Sequence, residues 1–335
     1  MGEITNVALD AMGGDNAPVE IVKGAVMALN ASDAVAVTLV GDEEQIKDCL
    51  KDATFDASRL FVVHATEVIG MAEPPVMAVR TKKDSSLVKA MYLVKNKECD
   101  AFVSAGSTGA ILVGGQVIIG RIKGIERAPL APFIPTEKGN SLLIDCGANV
   151  DARASHLVQF AQIGSIYMEK AYGIKNPTVG IVNIGAEEEK GNALVKEAFP
   201  LLKNCPEINF IGSVEARDIP AGAADVVVCE AFTGNVILKM YEGVSKSLMR
   251  MIKGALMSST TTKLGAALIK KPLKETLKAV DAEAVGGAPM LGLNGLVVKT
   301  HGSTHAEGIK NAILQCVTFK EQNVGELIRA RLSDE

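Results

Sequence analysis

Four segments combine glycine with hydroxyl, amide or ionisable side chains directly after an apolar run: SAGSTGA at 104–110, NIGAEEEKG at 183–191, EAFTGN at 230–235 and HGST at 301–304. In the first, Ser104, Gly106, Ser107, Thr108 and Gly109 would turn a strand into a helix with amides and hydroxyls facing outward, which suits a phosphate or an oxyanion. The same spacing also serves a tight turn whose glycines only permit close packing. It is neither a Walker A loop, which needs Gly-Lys-Ser or Gly-Lys-Thr, nor a GxGxxG fingerprint. In the second segment Asn183 ends a strand, and Lys190 could hold an anionic substrate or lie on the surface. Glu187, Glu188 and Glu189 read as a solvated helix start. In the third, Thr233 and Asn235 flank Gly234 and could donate to a carbonyl or phosphate oxygen, although Asn235 equally suits a helix N-cap. In the fourth, His301 stands beside Ser303 and Thr304, and an imidazole is the natural acid or base near neutral pH. His64, His156 and His305 are weaker candidates. Two acidic segments, DAMGGD at 10–15 and DCGANVD at 145–151, put carboxylates such as Asp10 at strand ends, where they could bind Mg²⁺ or cap turns, but nothing in them fixes a six-coordinate site. Together these residues outline an anion-binding cleft around Lys190, His301, Asn235 and backbone amides.

The elements that must position them follow from nine β-branched runs, at 6–9, 35–40, 60–63, 101–103, 142–144, 179–182, 208–211, 226–228 and 296–298, with helix-forming sequence between them. This pattern predicts an α/β protein, residues 1–335 forming a single unit with a large, mostly parallel sheet and helices on both faces. Ligands collect at the carboxyl ends of such strands, where the glycine-rich segments lie. Two regions break the alternation. PLAPFIP at 129–135 carries three prolines and predicts an extended crossing between sheet halves. Residues 242–278 show no strand signal and predict a projecting hairpin of two amphipathic helices joined at SSTTT, 258–262. Between Lys239 and Lys278, nine basic residues stand against Glu242 and Glu275, a local net charge of +7 in a chain whose formal charge is −4. One reading packs the apolar stripe on a second copy and leaves the lysines solvated. The other offers Arg250, Lys253, Leu256, Lys263, Leu264, Lys270 and Lys271 to anionic lipid or an acidic protein.

Composition narrows the class. The 335 residues are 48% hydrophobic but only 4% aromatic, without tryptophan, so the core is built from Ala, Val, Ile, Leu and Met. The acidic balance argues against a dedicated nucleic-acid binder. Cys49, Cys99, Cys146, Cys205, Cys229 and Cys316 are scattered without metal-ligand spacing, as reduced thiols of a cytosolic protein would be. The opening residues do not resemble a signal peptide, and no run approaches the roughly 20 apolar residues that cross a bilayer. The expectation is a cytoplasmic protein that touches a membrane at most peripherally.

At these loops the chain resembles the acyl-ACP:phosphate acyltransferase (PlsX) family of bacterial phospholipid synthesis. DAMGGD at 10–15, RTKKDSS at 80–86, SAGSTGA at 104–110, GRIKGI at 120–125, GANVD at 147–151, NIGAEEEKG at 183–191, FTGN at 232–235 and HGST at 301–304 match the family's blocks in order. Glu230-Ala231 depart from the Asp-Gly expected there. The resemblance implies a fold similar to phosphotransacetylases and isocitrate dehydrogenase-like proteins, a homodimer, and no metal or organic cofactor. It implies transfer of an acyl group from acyl carrier protein (ACP) to inorganic phosphate, giving acyl phosphate for a membrane acyltransferase. For that reaction we expect Lys190 and the 104–110 amides to hold phosphate, and Asn235 with the backbone near Thr233 to stabilise the oxyanion. His301 would protonate the leaving thiolate or position phosphate, and Asp10 would orient a partner. Three alternatives compete. A nicotinamide-dependent decarboxylating dehydrogenase would need a nucleotide fingerprint and a metal carboxylate set, neither of which is evident. A phosphotransacetylase using a short acyl-CoA would share the chemistry. A non-enzymatic membrane or ACP scaffold would leave the strand-end loops idle.

Overall fold

Every one of the nine apolar runs becomes a strand, because a continuous β-branched run has two apolar faces and is stable only when both are covered. The computed structural model describes residues 3–279 and 285–333; the side chains of 274–279, including Lys274, Glu275 and Lys278, lie outside the described residues. The strands are β1 (Thr5–Asp10), β2 (Val35–Gly41), β3 (Leu60–His64), β4 (Ala101–Ser104), β5 (Phe133–Thr136), β6 (Gly139–Ile144), β7 (Thr178–Asn183), β8 (Asn209–Glu215), β9 (Val226–Val228), β10 (Ala288–Met290) and β11 (Leu296–Lys299). They divide between two sheets, ordered β10-β11-β4-β1-β2-β3 and β5-β6-β9-β7-β8. All pairings are parallel except β10 with β11 and β5 with β6. Those two antiparallel strands were not anticipated. Both are short and contain proline, Pro135 and Pro289, which a sheet tolerates at its edge.

Both faces of each sheet are covered. In β1, Val7 and Leu9 pack with the helices Val19–Ala31 and Ala306–Glu321, while Ala8 between them packs with the helices Ser86–Lys95 and Thr108–Gly114. In β6, Leu142 and Ile144 face the helix Ala154–Tyr172, and Leu143 faces Ile237, Leu238 and Tyr241 of the helix Ala231–Leu256. The proline segment stitches the sheets together: Leu130 bridges to Met290 of β10, and three residues later the chain enters β5 of the other sheet.

The first sheet reverses its order between β1 and β4, the position where open α/β sheets leave a crevice. The loops that follow those strands, DAMGGD and SAGSTGA, meet there. The helix Ala231–Leu256 docks only by its first turns, with the Tyr241 hydroxyl donating to the Pro135 carbonyl at 2.5 Å. Beyond Glu242 its residues are half-buried or exposed, and the second helix, Thr260–Ala279, returns alongside it. Its start is reciprocally capped: Thr262 N donates to Ser259 Oγ at 3.1 Å, and Ser259 N to Thr262 Oγ1 at 3.0 Å. No helix among the described residues is long and apolar enough to cross a membrane.

Candidate active site

Asp10 is the buried knot of the crevice. Its carboxylate accepts from the Ser104 hydroxyl at 2.7 Å and from Met12 N at 3.3 Å, while Gly106 N donates to Ser104 Oγ at 2.9 Å. Burial raises the Asp10 pKa, and bonds from Ser86, Ser104, Met12 and Gly13 oppose that rise. A methyl group on Gly13 would stand 2.5 Å from Asp10 Oδ2, so only glycine lets the two loops close on the carboxylate. The HGST loop is tied to the same knot, since Asp15 N donates to the Gly302 carbonyl at 2.8 Å and Asn16 Nδ2 to the Ser303 and Thr304 carbonyls at 3.1 and 3.0 Å. Ser107 caps the helix Thr108–Gly114, and Gly109 is pressed against the Pro75 ring. Ser104→Ala would strand both Asp10 and the Gly106 amide, and is expected to cost about 1–3 kcal/mol of stability, read from a urea transition.

His301 stands at the rim of this crevice, exposed, with Nδ1 2.8 Å from the Ser303 hydroxyl and accepting from Ser303 N at 3.2 Å. Desolvation lowers its pKa below the ordinary 6.5; Lys246, Lys299 and Lys239 add to this, while Glu242 opposes them. Three of those charges sit on the helix Ala231–Leu256, so the imidazole faces the element that docks on the second sheet. Lys299, the last residue of β11, is half-buried there, and its pKa is lowered by desolvation and then by Lys239. Glu242 opposes that shift, although no acid among the described residues stands within salt-bridge distance of the Lys299 ammonium. Sequence reasoning missed Lys299, although a lysine closing an apolar strand just before HGST was a usable signal.

Glu230, not Asn235, caps the helix Ala231–Leu256. Its carboxylate accepts from Phe232 N at 2.6 Å and Thr233 N at 3.0 Å, and from the Thr233 hydroxyl. The departure from Asp-Gly is therefore accommodated: the longer acid still reaches two amides, and Ala231 is fully buried. Gly234 lies against the Asp145 carbonyl, and Asn235 is exposed near Gly147. Asp145 itself is buried, accepting from Leu130 N, Ala148 N, Asn149 N and Asn149 Nδ2, and burial pushes it up to about 6. Beside Glu230 opens a groove of about 730 Å³ lined by Arg127, Asp151, Arg153, His156 and Phe232.

Asn183 ends β7 of the second sheet, and Lys190 stands in the loop that follows it. Asn183 buckles its own loop, donating to the Lys190 carbonyl at 3.2 Å and to Ser213 Oγ at 3.0 Å. The Lys190 ammonium is exposed, 2.7 Å from Glu187, and that bond raises its pKa. Arg250, Lys253, Lys263, Leu264, Lys270 and Lys271 are exposed on the hairpin, with Leu256 half-buried at its turn. None of the six cysteines is bonded to another; Cys49 and Cys205 are half-buried and the other four buried. Among the described residues, no cluster of three or more His, Cys, Asp or Glu could hold a metal ion.

The two mostly parallel sheets form a fold that solved phosphotransacetylases share. The chain superposes on a phosphotransacetylase from Streptococcus pyogenes with a TM-score of 0.62 at 19% identity, covering 96% of this chain and 95% of that one. It superposes on the EutD phosphotransacetylase from Staphylococcus aureus with a TM-score of 0.58 at 19% identity, covering 95% and 94%. A family model described as "Fatty acid synthesis protein" matches residues 5–327. The Phosphate acyltransferase of Clostridium beijerinckii is 49% identical over 330 residues, covering 98% of this chain and 99% of that protein. The chain belongs to the phosphate acyltransferase family, as its eight sequence blocks indicated.

Proposed function

We propose that the chain transfers a fatty acyl group from the thioester of ACP to inorganic phosphate, releasing acyl phosphate and the carrier thiol for phospholipid synthesis. The observation that carries this reading is the imidazole of His301 held 2.8 Å from the Ser303 hydroxyl at the rim of the Asp10 crevice, where desolvation lowers its pKa and the half-buried Lys299 adds to that shift. A phosphate oxygen attacks the thioester carbon, the carbon–sulfur bond breaks, and the proton taken from phosphate by His301 passes to the departing sulfur. Lys299 attracts the phosphate, with Lys190 as a second cation. The amides of the 104–110 loop line the anion's seat, and Asn235 faces the developing oxyanion. Asp10 acts through Ser104, fixing the loop rather than touching substrate. Incubation with palmitoyl-ACP and radiolabelled phosphate, with acetyl-CoA as the alternative donor, tests the reading. Label must appear in a long-chain acyl phosphate, and transfer from acetyl-CoA alone would replace this reading with a short-chain one.

Lys299→Ala is expected to raise the KM for phosphate and cut kcat/KM by about 100-fold, the scale of a lost charge at a reacting anion. Lys190→Ala should cost less, because the Lys190 ammonium already pairs with Glu187. A phosphate KM unchanged in the Lys299 variant but raised in the Lys190 variant would reverse their roles.

The hairpin completes the proposal. Phe232, Val236, Met240, Val244, Leu248 and Met251 form an exposed apolar stripe along its first helix, which a second copy of the chain would cover. The tip carrying Arg250, Lys253, Leu256, Lys263, Leu264, Lys270 and Lys271 would meet anionic lipid or ACP. Changing Lys263, Lys270 and Lys271 to Glu should abolish sedimentation with anionic liposomes or raise the KM for acyl-ACP. If neither changes, the lysines are only a solvated face.

A further inference from the structure

We infer that residues 66–77 form a strap that seats the acyl chain of the donor; this rests on the acyl-transfer reading above. Val68 and Met71, on the connection after β3, and Val76 and Met77, in the first turn of the helix Pro75–Thr81, are 43%, 55%, 62% and 55% exposed, which puts four outward apolar side chains within ten residues. The backbone beneath them is held by polar bonds, chiefly from the RTKKDSS segment. Lys82 Nζ donates to the Val68 carbonyl at 2.8 Å and to Glu73 Oε1 at 2.7 Å, and Gly70 N donates to the same Glu73 oxygen at 2.7 Å. Thr66 donates through its amide and hydroxyl to Asp84 Oδ2 at 3.0 and 2.6 Å, and Ser86 N donates to the Glu67 carbonyl at 3.1 Å. The polar groups are thus committed to fixing the strap, and the apolar ones are displayed.

The strap is continuous with the reacting centre. A methyl group placed on Gly302, next to His301, would lie 3.4 Å from Met71 Cε, and one on Gly109 would lie 2.4 Å from the Pro75 ring. The Ser86 hydroxyl of the same segment reaches Asp10. An acyl carbonyl at His301 would therefore start its methylene chain beside Met71 and run on toward Val76 and Met77. Unbranched, polarizable methionines adapt to a flexible chain of varying length, which branched residues would not. The carrier half of the donor is polar and has no use for this surface.

The test compares butyryl-ACP with palmitoyl-ACP as donors at saturating phosphate, in the full-length protein and in the double variant Met71→Gln, Met77→Gln. Glutamine keeps length and removes apolarity at exposed positions. The ratio of kcat/KM for palmitoyl over butyryl donor should fall by about tenfold or more, since several methylenes lose apolar contact. Val76→Asn should move the ratio in the same direction, guarding against a local effect of one pair. An unchanged ratio in both variants overturns the inference while leaving acyl transfer standing. So does a parallel loss on both donors accompanied by a lower sedimentation coefficient, which would mean that the strap seats a second copy. A wild-type protein that labels no acyl phosphate from either donor overturns the acyl-transfer reading itself.

Discussion

Replacing His301 with alanine is expected to lower kcat for acyl transfer by about 100- to 10,000-fold, the usual contribution of a positioned acid or base. The pH profile carries the sharper signature. Desolvation and the surrounding lysines hold the His301 pKa below 6.5, so the neutral form that accepts a proton is present above that pKa and lost as pH falls through it. Wild-type activity should therefore show an acid limb below 6.5 that the alanine variant lacks. Phosphate also titrates, so the measurement is the ratio of the two profiles, in which the substrate's own ionisation cancels. Glu242 acts to raise this pKa, while Lys246, Lys299 and Lys239 lower it. Glu242→Gln should accordingly move the acid limb to still lower pH. A His301→Ala enzyme with an unshifted limb would mean that the imidazole only positions its neighbours.

The largest structural effect is expected at Gly234. A Cβ there would stand 1.9 Å from the Asp145 carbonyl oxygen and 3.0 Å from Cys229 Sγ, and neither the strand-end backbone nor the first turn of the helix can yield that distance without opening the contact. Gly234→Ala is expected to cost about 3 kcal/mol or more, at the upper end of overpacking penalties. Gly243, nine residues further along the same helix, meets nothing within 4 Å, and Gly243→Ala should instead stabilise by about 0.5–1 kcal/mol through helix propensity. Urea denaturation followed by circular dichroism on the two variants gives opposite signs if the helix start is seated as described. Equal shifts would mean that the seat is loose.

Some of the site was legible because its chemistry is local. HGST, SAGSTGA and EAFTGN each announce a strand-to-helix turn, and each forms one. His301 and Ser303, two residues apart, do meet. What a side chain faces across the molecule was not legible. Lys190 could be read as holding an anion or as lying on the surface, and its pairing with Glu187, three residues away, had no signal of its own. Lys299, one residue past the apolar run read at 296–298, closes β11 half-buried, and its charge acts on the His301 imidazole. Glu230 looked like a departure from the family pattern and turns out to cap the helix.

The positions of nine strands, the charged amphipathic hairpin and the family were determined by the sequence alone. A doubly covered strand must be a continuous β-branched run, an amphipathic helix repeats its apolar residues every three or four positions, and eight ordered blocks leave little freedom of assignment. Tertiary structure decided the division into two sheets, the proline-bearing edge strands, and the meeting of loops far apart in the chain. Ser104 and Asp10 are separated by 94 positions, and Asn16 and Ser303 by 287. Local propensity cannot encode such pairings, because they depend on which strand edges find one another when the cores close, and that choice is made by the whole chain at once.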